Sequence, residues 1–373
     1  MKKKISIVGA GNAGCITAMQ YHLMGKDLFD KITIYHDPSS PIERVGQGTI
    51  LSISFLINNF FYLDFLDNNL IKSTRKEGIM YENWGKKNEK IFHPFSQSMN
   101  AIHYVPSLLS QAVLESGVFE VIEKNIIDPE KEIDCDYIID CRGKNNRDKN
   151  LYDSLINPLN SVILAREEKV YPNHFYTRTV ATPNGWTFVI PNTDSTSYGY
   201  LYNDQITSRE DAEKDFIERF NIVPDGFLKF DNYLAKDCFV GDRTILNGNR
   251  LSFLEPLEAS STGFYSSVAV FARDYIMGDI DREMCNKNIK NEMKRIENFV
   301  LWHYQFGSKF DTPFWDYAKS LPFNPDSLFN HTLEHGMSNS YSDLVMNVVR
   351  YREPRIYSQW NSTSFKCWAE GVM

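Results

Sequence analysis

The sequence predicts an α/β fold in which a nucleotide-binding sheet is interleaved with an antiparallel sheet and followed by a helical C-terminal part. Three observations support this prediction: a strand, glycine turn and helix at the N-terminus, a cluster of β-rich runs between residues 162 and 202, and amphipathic helical patterns at 207–220 and 281–302. Strands that alternate with helices indicate a layered α/β chain, whereas consecutive strands joined by short turns indicate an antiparallel sheet.

The first element is a β-branched run at Ile5–Val8 that leads directly into the sequence GAGNAG and then into a helical pattern. In a Rossmann-like turn the first glycine allows the tight turn, the second lets the backbone approach a pyrophosphate, and the third lets the helix pack on the strand. The alternative is a tight βα turn without a ligand. We predict a dinucleotide site that contains Gly9, Gly11, Asn12, Ala13 and Gly14.

The second predicted strand, at 31–35, ends at His36 and Asp37, where a side chain would meet the adenosine ribose. Asp37 is the better hydrogen-bond acceptor, but His36 occupies the expected place, so both stay open. A helical pattern at 50–66 follows a glycine-rich segment whose backbone could lie against a cofactor ring. That segment adds Gly46, Gln47, Gly48 and Thr49 to the predicted contacts.

Two later stretches complete the predicted nucleotide site. The run at 135–142 alternates apolar and polar residues, which is typical of a strand that closes the sheet and brings Asp140 and Gly143 to the cofactor. The run at 239–246 is predicted as a further strand that delivers Gly248 and, beyond it, Leu254.

Residues 252–263, SFLEPLEASSTG, combine carboxylates with small hydroxyl side chains. Glu255 and Glu258 are flanked by Phe and Leu, so we expect at least one carboxylate to lie near apolar walls, where burial perturbs its proton affinity. The stretch after them predicts a helix N-terminus, whose free N–H groups and dipole favour an anion. We infer a site for a small negative species; the alternative is a capping turn with solvated glutamates.

Composition excludes several classes of function. The 373 residues include 40 Lys and Arg against 48 Asp and Glu, a net charge of −8 without a basic run, which argues against nucleic acid as a partner. Six cysteines without CxxC pairs predict no metal cluster and no disulfide framework, and thus a reducing, cytoplasmic location. The apolar part of the N-terminus is too short for a signal peptide, and no stretch predicts a membrane span.

Several segments occur in the order in which one known family has them. GAGNAG resembles that family's FAD fingerprint, VGQGT (45–49) its VGEAT segment, and FLEPLEAS (253–260) its FLEPLES. GWTFVIP (185–191) resembles its W-x-W-x-I-P signature, SYGYLY (197–202) the following strand, and HYQFGSKFDTPFW (303–315) a stretch ending in D-T-x-F-W. On this resemblance the chain is identified as a member of the tryptophan halogenase family of flavin-dependent halogenases.

The resemblance implies roles for individual residues. The catalytic lysine falls on Lys76 in RKEGIMYENW (75–84), and Glu258 would polarise the oxidant or take the proton lost by the halogenated ring. His93 and Phe95 of IFHPF (91–95) fall on the substrate side. The signature residues Trp186, Phe188 and Pro191 would line a dry passage, and the halide would contact Ser260, Ser261, Thr262 and Gly263.

Each of these residues also has an ordinary structural interpretation. Lys76 stands among other charged residues and would by itself indicate a solvated charge. His93 by itself would indicate a partly buried histidine with satisfied hydrogen bonds, Glu258 a structural carboxylate, and Trp186 a core residue.

The activity implied by the resemblance is halogenation of an electron-rich aromatic compound such as an indole, pyrrole or phenol. FAD would arrive as FADH2 from a separate flavin reductase, because the sequence contains no second nucleotide fingerprint for NADH, and halide and O2 would form hypohalous acid. The oligomeric state stays open. The rivals are a flavin-dependent aromatic monooxygenase, which has no use for Lys76, and an FAD-binding relative without turnover.

The chain departs from the family pattern in places. Phe188 replaces the second signature Trp, and Gln47 stands for a family Glu. Residues 259–261 (Ala-Ser-Ser) stand where Ser-Thr-Gly is usual, unless two residues are inserted and Thr262-Gly263 are the true match. The chain after Glu258 is shorter than in tryptophan-specific members, which disfavours free tryptophan as the substrate.

From these assignments we predict four regions. Residues 1–160 form the FAD-binding Rossmann-like part, with 70–110 contributing the lysine segment, and 161–235 form the antiparallel substrate-side sheet. Residues 236–280 return to the FAD domain with the EPLEAS segment, and 281–373 form the helical, substrate-side C-terminal part.

Overall fold

The computed structural model of the protein describes residues 2–25, 28–42, 46–63, 69–95, 101–144, 148–171, 174–324, 360 and 362–372. The chain divides into two compact units, each assembled from three separate stretches. The first unit contains Met1–Ser73, Tyr104–Leu155 and Asn232–Met293. The second unit contains Thr74–His103, Ile156–Asp231 and Lys294–Met373. The chain therefore enters each unit three times.

The first unit is built on a six-stranded sheet whose central strands are parallel. Ile5, Ile7 and Ile139 of these strands are at most 1 % exposed, as expected for parallel strands covered on both faces. Only the hairpin at one edge is antiparallel. In spatial order the strands are Phe239–Val240, Thr244–Leu246, Tyr137–Asp140, Lys3–Val8, Phe29–His36 and Glu120–Glu123.

Helices and short strands complete the first unit. A small antiparallel sheet joins Tyr152–Ser154, Tyr233–Ala235 and Ser252–Phe253, and Gln47–Gly48 is a further short strand. The helices are Asn12–Met24, Leu51–Phe61, Pro106–Leu114, Pro129–Glu132 and Ser260–Met277, with 3-10 turns at Lys149–Leu151, Gly248–Arg250 and Leu257–Ala259.

Two sequence predictions in this unit need correction. The helix predicted at 50–66 ends at Phe61, because Tyr62 adopts a left-handed conformation with φ of 54° and its N–H caps the carbonyl of Asn58; residues 64–68 lie outside the described part. The strand predicted at 239–246 is a hairpin, because Gly241 turns the chain with φ of +66°. The other predicted elements of this unit are confirmed.

The second unit contains a seven-stranded sheet, as the β-rich runs at 162–202 predict. All neighbouring strands are antiparallel except Tyr176–Thr182 and Gly78–Glu82, which run parallel. In spatial order the strands are Gly226–Lys229, Ser161–Glu167, Thr196–Tyr202, Gly185–Pro191, Tyr176–Thr182, Gly78–Glu82 and Lys90–Pro94. Beside it, the lysine strand Thr74–Lys76 pairs antiparallel with Ala101–Tyr104.

Helices pack around this sheet. Arg209–Phe220 begins after the N-cap Ser208 and buries Phe216 against Tyr198 and Tyr200 of the sheet. Arg282–Gln305 carries residues of both units, and Pro313–Ser320 and Ser362–Val372 follow it. The predicted α/β fold class with its helical C-terminal part is thus confirmed. Within the described ranges, no helix is both long and apolar enough to cross a membrane.

Candidate functional site

The glycines of the N-terminal turn each meet a different physical requirement. Gly9 has φ of +105°, and a β-carbon there would lie 2.7 Å from the carbonyl oxygen of Cys141. A β-carbon at Gly14 would lie 1.9 Å from the carbonyl oxygen of Gly9. A β-carbon at Gly11 would meet nothing within 4 Å, so open space adjoins the start of a 13-residue helix. This arrangement fits a pyrophosphate at Gly11.

The structure brings other predicted contacts to this turn. The Tyr104 hydroxyl donates to Asn12 Oδ1 at 2.8 Å, which fixes the amide at the first helical turn. Gly248 has φ of +62°, and a β-carbon there would lie 2.5 Å from that of Ala13. Gly248 therefore lies directly against the glycine turn, where only a residue without a side chain fits.

At the end of the second strand, both candidates for the ribose contact are already engaged. Asp37 accepts hydrogen bonds from the Ser39 amide and hydroxyl at 2.9 and 2.7 Å, and these bonds hold the pKa of its exposed carboxyl below the usual range. His36 Nε2 lies 3.9 Å from a carboxylate oxygen of Glu123.

Asp140 and Gly143 lie at the end of the predicted closing strand. The Asp140 carboxylate is held by Arg142 at 2.7 and 2.9 Å and lies 3.4 Å from Arg250 Nε. Its charge is thus balanced within the protein. Gly143 has φ of +81°, and a β-carbon there would meet nothing within 4 Å. Of the two residues, Gly143 offers the open backbone.

The segment 46–49 lies next to the helix Ser260–Met277. A β-carbon at Gly263 would lie 2.5 Å from Ile50 Cδ1, so the helix approaches the end of this segment closely. Thr49 is fully buried and its hydroxyl is 2.6 Å from that of Ser54, while Gln47 Nε2 donates to the Gly48 carbonyl.

In the glutamate segment (residues 254–259) both carboxylates are buried and the backbone is strained. Glu255 and Glu258 are 2 and 4 % exposed, which excludes the alternative of solvated glutamates. Glu255 accepts a hydrogen bond from the Leu257 amide at 2.9 Å. Glu258 and Ala259 both adopt left-handed conformations, with φ of 70° and 52°. Consecutive non-glycine residues in this region store strain, which is typical of functional sites.

The strained pair leads into the predicted helix N-terminus, which begins at Ser260 as expected. The N-cap Ala259 provides no side-chain hydrogen bond to the first turn. Thr262 is fully buried, and within the described part of the chain its hydroxyl has no hydrogen-bond partner. A helix N-terminus with free N–H groups and a buried hydroxyl fits a small anion.

Lys76 belongs to the second unit and is fully buried at the end of the lysine strand. This excludes the alternative of a solvated surface charge. Its Nζ lies 5.2 Å from the centre of the Phe95 ring, within range of a cation–π contact. The small Ala101 stands opposite Lys76 in the strand pair, which leaves room for the long side chain.

His93 lies among aromatic rings beside Lys76. Its ring is 5.2 Å from Phe95 and stacks on Trp360 at 4.4 Å. Burial first, and then the nearby His303 and Lys76, hold the pKa of His93 well below its usual range. Within the described residues neither ring nitrogen has a hydrogen-bond partner, so the alternative of a satisfied histidine does not apply. A neutral ring with two unused polar atoms suits contact with a ligand.

The signature strand Gly185–Pro191 presents its side chains to several neighbours. Trp186 donates from Nε1 to the Tyr304 hydroxyl at 2.9 Å, which is how a core tryptophan behaves. Phe188 stands opposite Gly199, where a β-carbon would lie 2.1 Å from its ring. The Pro191 carbonyl accepts a hydrogen bond from Thr74 of the lysine strand at 2.8 Å.

Sequence reasoning missed Trp360, His303 and Tyr304 as neighbours of these residues. They lie more than 100 residues further along the chain than the predicted positions they contact. His303 and Tyr304 begin the family-like stretch 303–315, but nothing in the local sequence places these three residues beside their neighbours. The predicted nucleotide and halide residues all fall in the first unit, and Lys76 with the predicted substrate residues in the second.

The family profile described as tryptophan halogenase matches residues 4–115 and 109–351. The chain belongs to this family. Tryptophan 7-halogenase RebH of Lentzea aerocolonigenes is 24 % identical over 210 residues, which are 53 % of this chain and 39 % of RebH. Tryptophan 6-halogenase ThaL of Streptomyces albogriseolus is 27 % identical over 154 residues, or 39 % of this chain and 29 % of ThaL. The matches thus span less than half of these halogenases.

Solved structures of halogenases match the fold over nearly the whole chain. Tryptophan 6-halogenase SttH from Streptomyces toxytricini aligns with a TM-score of 0.77 and 18 % identity, covering 99 % of this chain and 90 % of SttH. BrvH, a flavin-dependent halogenase from Brevundimonas sp. BAL3, aligns with a TM-score of 0.73 and 17 % identity, covering 100 % and 95 %. The predicted fold and family are confirmed.

Proposed function

We propose that this chain is an FADH2-dependent halogenase that makes hypohalous acid from O2 and halide and delivers it through Lys76 to an electron-rich aromatic substrate. The observation that carries the proposal is the complete burial of Lys76 beside Phe95 and His93, in a chain of the tryptophan halogenase family. A structural lysine rarely gives up its hydration, whereas a lysine that handles a reactive oxidant must be shielded from water.

FAD would be held by the glycine turn, with its pyrophosphate at Gly11 and the helix N-terminus. Gly248 and the segment 46–49, which adjoin this part of the first unit, would contact the rest of the cofactor. When bound as FADH2, delivered by a separate reductase, the cofactor would supply two electrons to O2, and the halide would supply the other two as it is oxidised to hypohalous acid. Asp140 would hold the end of its strand in place beside the cofactor through its ion pairs with Arg142 and Arg250.

The halide would bind at the first turn of the helix Ser260–Met277. The N–H groups of Ser260, Ser261 and Thr262, which follow the N-cap Ala259, have no acceptor within the helix, and the Thr262 hydroxyl adds a buried donor. Chloride and bromide carry a full negative charge, which the helix dipole stabilises.

Lys76 would capture hypohalous acid as a hydrogen-bonded acid or an N-halo amine and direct it at the substrate. In the reaction a ring C–H and HOBr become C–Br and water, and the ring proton needs an acceptor. Glu258, with its carboxylate buried in the first unit, would accept that proton or polarise the oxidant. His93 and Phe95 would contact the substrate ring, and Trp186, Phe188 and Pro191 would exclude water.

The proposal is tested by Lys76→Ala, with Lys90→Ala as a matched control on an exposed lysine. Each protein is incubated with FAD, a flavin reductase, NADH, bromide and a panel of indoles, pyrroles, phenols and tryptophan, and products are read by mass spectrometry. We expect Lys76→Ala to consume oxygen and bind FAD normally but to give no brominated product, while Lys90→Ala matches the wild type.

Lys76→Arg is expected to fail as well, because a guanidinium stays protonated and forms no comparable amine adduct. Oxidant that Lys76→Ala no longer captures should appear in solution, where a diffusible halogen acceptor or a peroxide assay detects it. Regioselective bromination by either variant would contradict the role of Lys76. Hydroxylated product independent of halide would identify a monooxygenase, and absence of oxygen consumption an inactive FAD-binding relative.

A further inference from the structure

His103 lies on the same face of a strand pair as Lys76. In the antiparallel pair of Thr74–Lys76 with Ala101–Tyr104, Thr74 stands opposite His103 and Lys76 opposite Ala101. Side chains two residues apart on a strand share a face, so Lys76 and His103 are diagonal neighbours on one surface. His103 is itself fully buried.

The hydrogen bonds of His103 determine which ring nitrogen carries the proton. Nδ1 lies 3.3 Å from the Thr74 hydroxyl oxygen, and that hydroxyl donates its single proton to the Pro191 carbonyl at 2.8 Å. The Thr74 oxygen can therefore only accept from His103, so Nδ1 must be the N–H donor.

The charge of the ring determines whether the second nitrogen, Nε2, donates or accepts a hydrogen bond. Burial, and then the positive charge of Lys76, hold the pKa of His103 well below its usual range, so the ring is neutral near pH 7. A neutral ring carries one N–H proton, and that proton is on Nδ1. Nε2 therefore accepts a hydrogen bond from the Thr177 hydroxyl, 2.8 Å away.

We propose that His103 is a positioning residue for Lys76, held as its neutral Nδ1–H tautomer by Thr74 and Thr177. The network ties the lysine strand to Tyr176–Thr182 through Thr177 and to the signature strand through Pro191. It fixes Lys76, two residues from Thr74, and keeps a neutral ring beside the lysine, where the positive charge of an imidazolium would repel the ammonium form of Lys76. This role deepens the proposed function and rests on it.

The tautomer is tested directly by NMR of the full chain labelled with 15N-histidine. The resonances of His103 are assigned from their loss in His103→Gln, and the long-range 1H–15N pattern distinguishes Nδ1–H, Nε2–H and imidazolium forms. We expect the Nδ1–H form in the wild type at pH 7. An Nε2–H or imidazolium pattern overturns the proposal. This readout needs no turnover.

The positioning role is tested with Thr177→Val, which removes the hydroxyl at nearly constant shape, and Thr177→Ser, which keeps it. The position of Lys76 is read from its 13Cε resonance after lysine labelling, assigned by its loss in Lys76→Arg. Thr177→Val should shift this resonance and mix the His103 tautomers, and Thr177→Ser should retain both wild-type signals. If Thr177→Val does not fold, Thr74→Val, which removes the acceptor of Nδ1, serves the same purpose.

Kinetics provide the second readout. Because a small misplacement of a reacting group lowers the rate without weakening binding, Thr177→Val should lower kcat for bromination roughly 10- to 100-fold at unchanged KM, and Thr177→Ser should restore it. Unchanged Lys76 and His103 signals in the folded Thr177→Val variant overturn the proposal. If neither the wild type nor any variant brominates, the proposed function fails. The two NMR readouts still decide whether His103 positions Lys76.

Discussion

Gly9 and Gly14 are required by the protein's own packing, whereas Gly11 is required by nothing in the polypeptide. Side chains at the first two positions would collide with the backbone of Cys141 or Gly9, but a side chain at Gly11 would enter open space. A sequence motif that costs stability or flexibility without serving the fold points to a ligand. The space beside Gly11 is thus the most direct sign of the cofactor at the residue level.

We predict that Gly11→Val leaves the fold intact and weakens FAD binding about 10- to 100-fold, because a displaced pyrophosphate loses charge-assisted hydrogen bonds worth roughly 1.5–3 kcal/mol. FAD affinity is measured by fluorescence quenching and folding by circular dichroism. Gly14→Ala provides the contrast, because its β-carbon would overlap the Gly9 carbonyl and should destabilise the fold itself. Unchanged FAD affinity in Gly11→Val would refute the assignment.

At the level of elements, the backbone of the glutamate segment is strained at the catalytic candidate Glu258. Two consecutive residues, Glu258 and Ala259, hold left-handed conformations immediately before the helix Ser260–Met277. These two left-handed residues set the orientation of the buried Glu258 carboxylate and the direction in which the helix begins. Neither of them is a glycine. A carboxylate cannot be supplied by glycine, so the strain at Glu258 is a requirement of the side chain.

Ala259 has no comparable side-chain requirement. We predict that Ala259→Gly stabilises the protein by about 0.5–1 kcal/mol, since glycine accepts positive φ without the 1–2 kcal/mol steric cost but loses more chain entropy. Urea unfolding at constant m-value measures the change. Ala272→Gly, in the ordinary right-handed part of the same helix, should instead destabilise by about 1 kcal/mol. Equal effects of the two substitutions would contradict the strain at Ala259.

At the scale of the whole molecule, three buried neutral histidines make stability depend on pH. The pKa values of His93 and His103 lie well below the usual range, and burial lowers that of His303 to about 3. In the unfolded chain these side chains bind protons as the pH falls below about 6.5. In the folded chain these buried rings stay unprotonated, so acid favours unfolding.

We predict that the unfolding free energy is nearly constant between about pH 7 and pH 8 and falls below about pH 6.5, by on the order of 1 kcal/mol per pH unit for each of these histidines. The stability contributed by His303 is lost over the pH range from its ordinary pKa of 6.5 down to its folded-state pKa of about 3. Urea unfolding between pH 5 and pH 8 measures the slope. His303→Phe, which keeps a ring in place, should reduce the slope; an equal slope in that variant would refute the contribution of His303.

Local sequence determined much of the fold. The GAGNAG turn, the helix that starts at Ser260 and the β-rich runs at 162–202 depend on neighbours a few residues away, so glycine placement, a cluster of small hydroxyl residues and alternation reveal them. Where such cues conflicted, boundaries were wrong: the helix stops at Phe61 although apolar residues continue, and Gly241 divides an otherwise continuous strand pattern.

The surroundings of the candidate residues depended on the tertiary structure, because they join residues distant in sequence. The sequence could name Lys76 only through its family and otherwise favoured a solvated charge; its burial comes from the pairing of two strands that lie outside each other's local window. Likewise, the tautomer of His103 follows from Thr74, Thr177 and Pro191, contributed by three different strands. Hydrogen bonds and desolvation act through space, and so only the folded chain decides them.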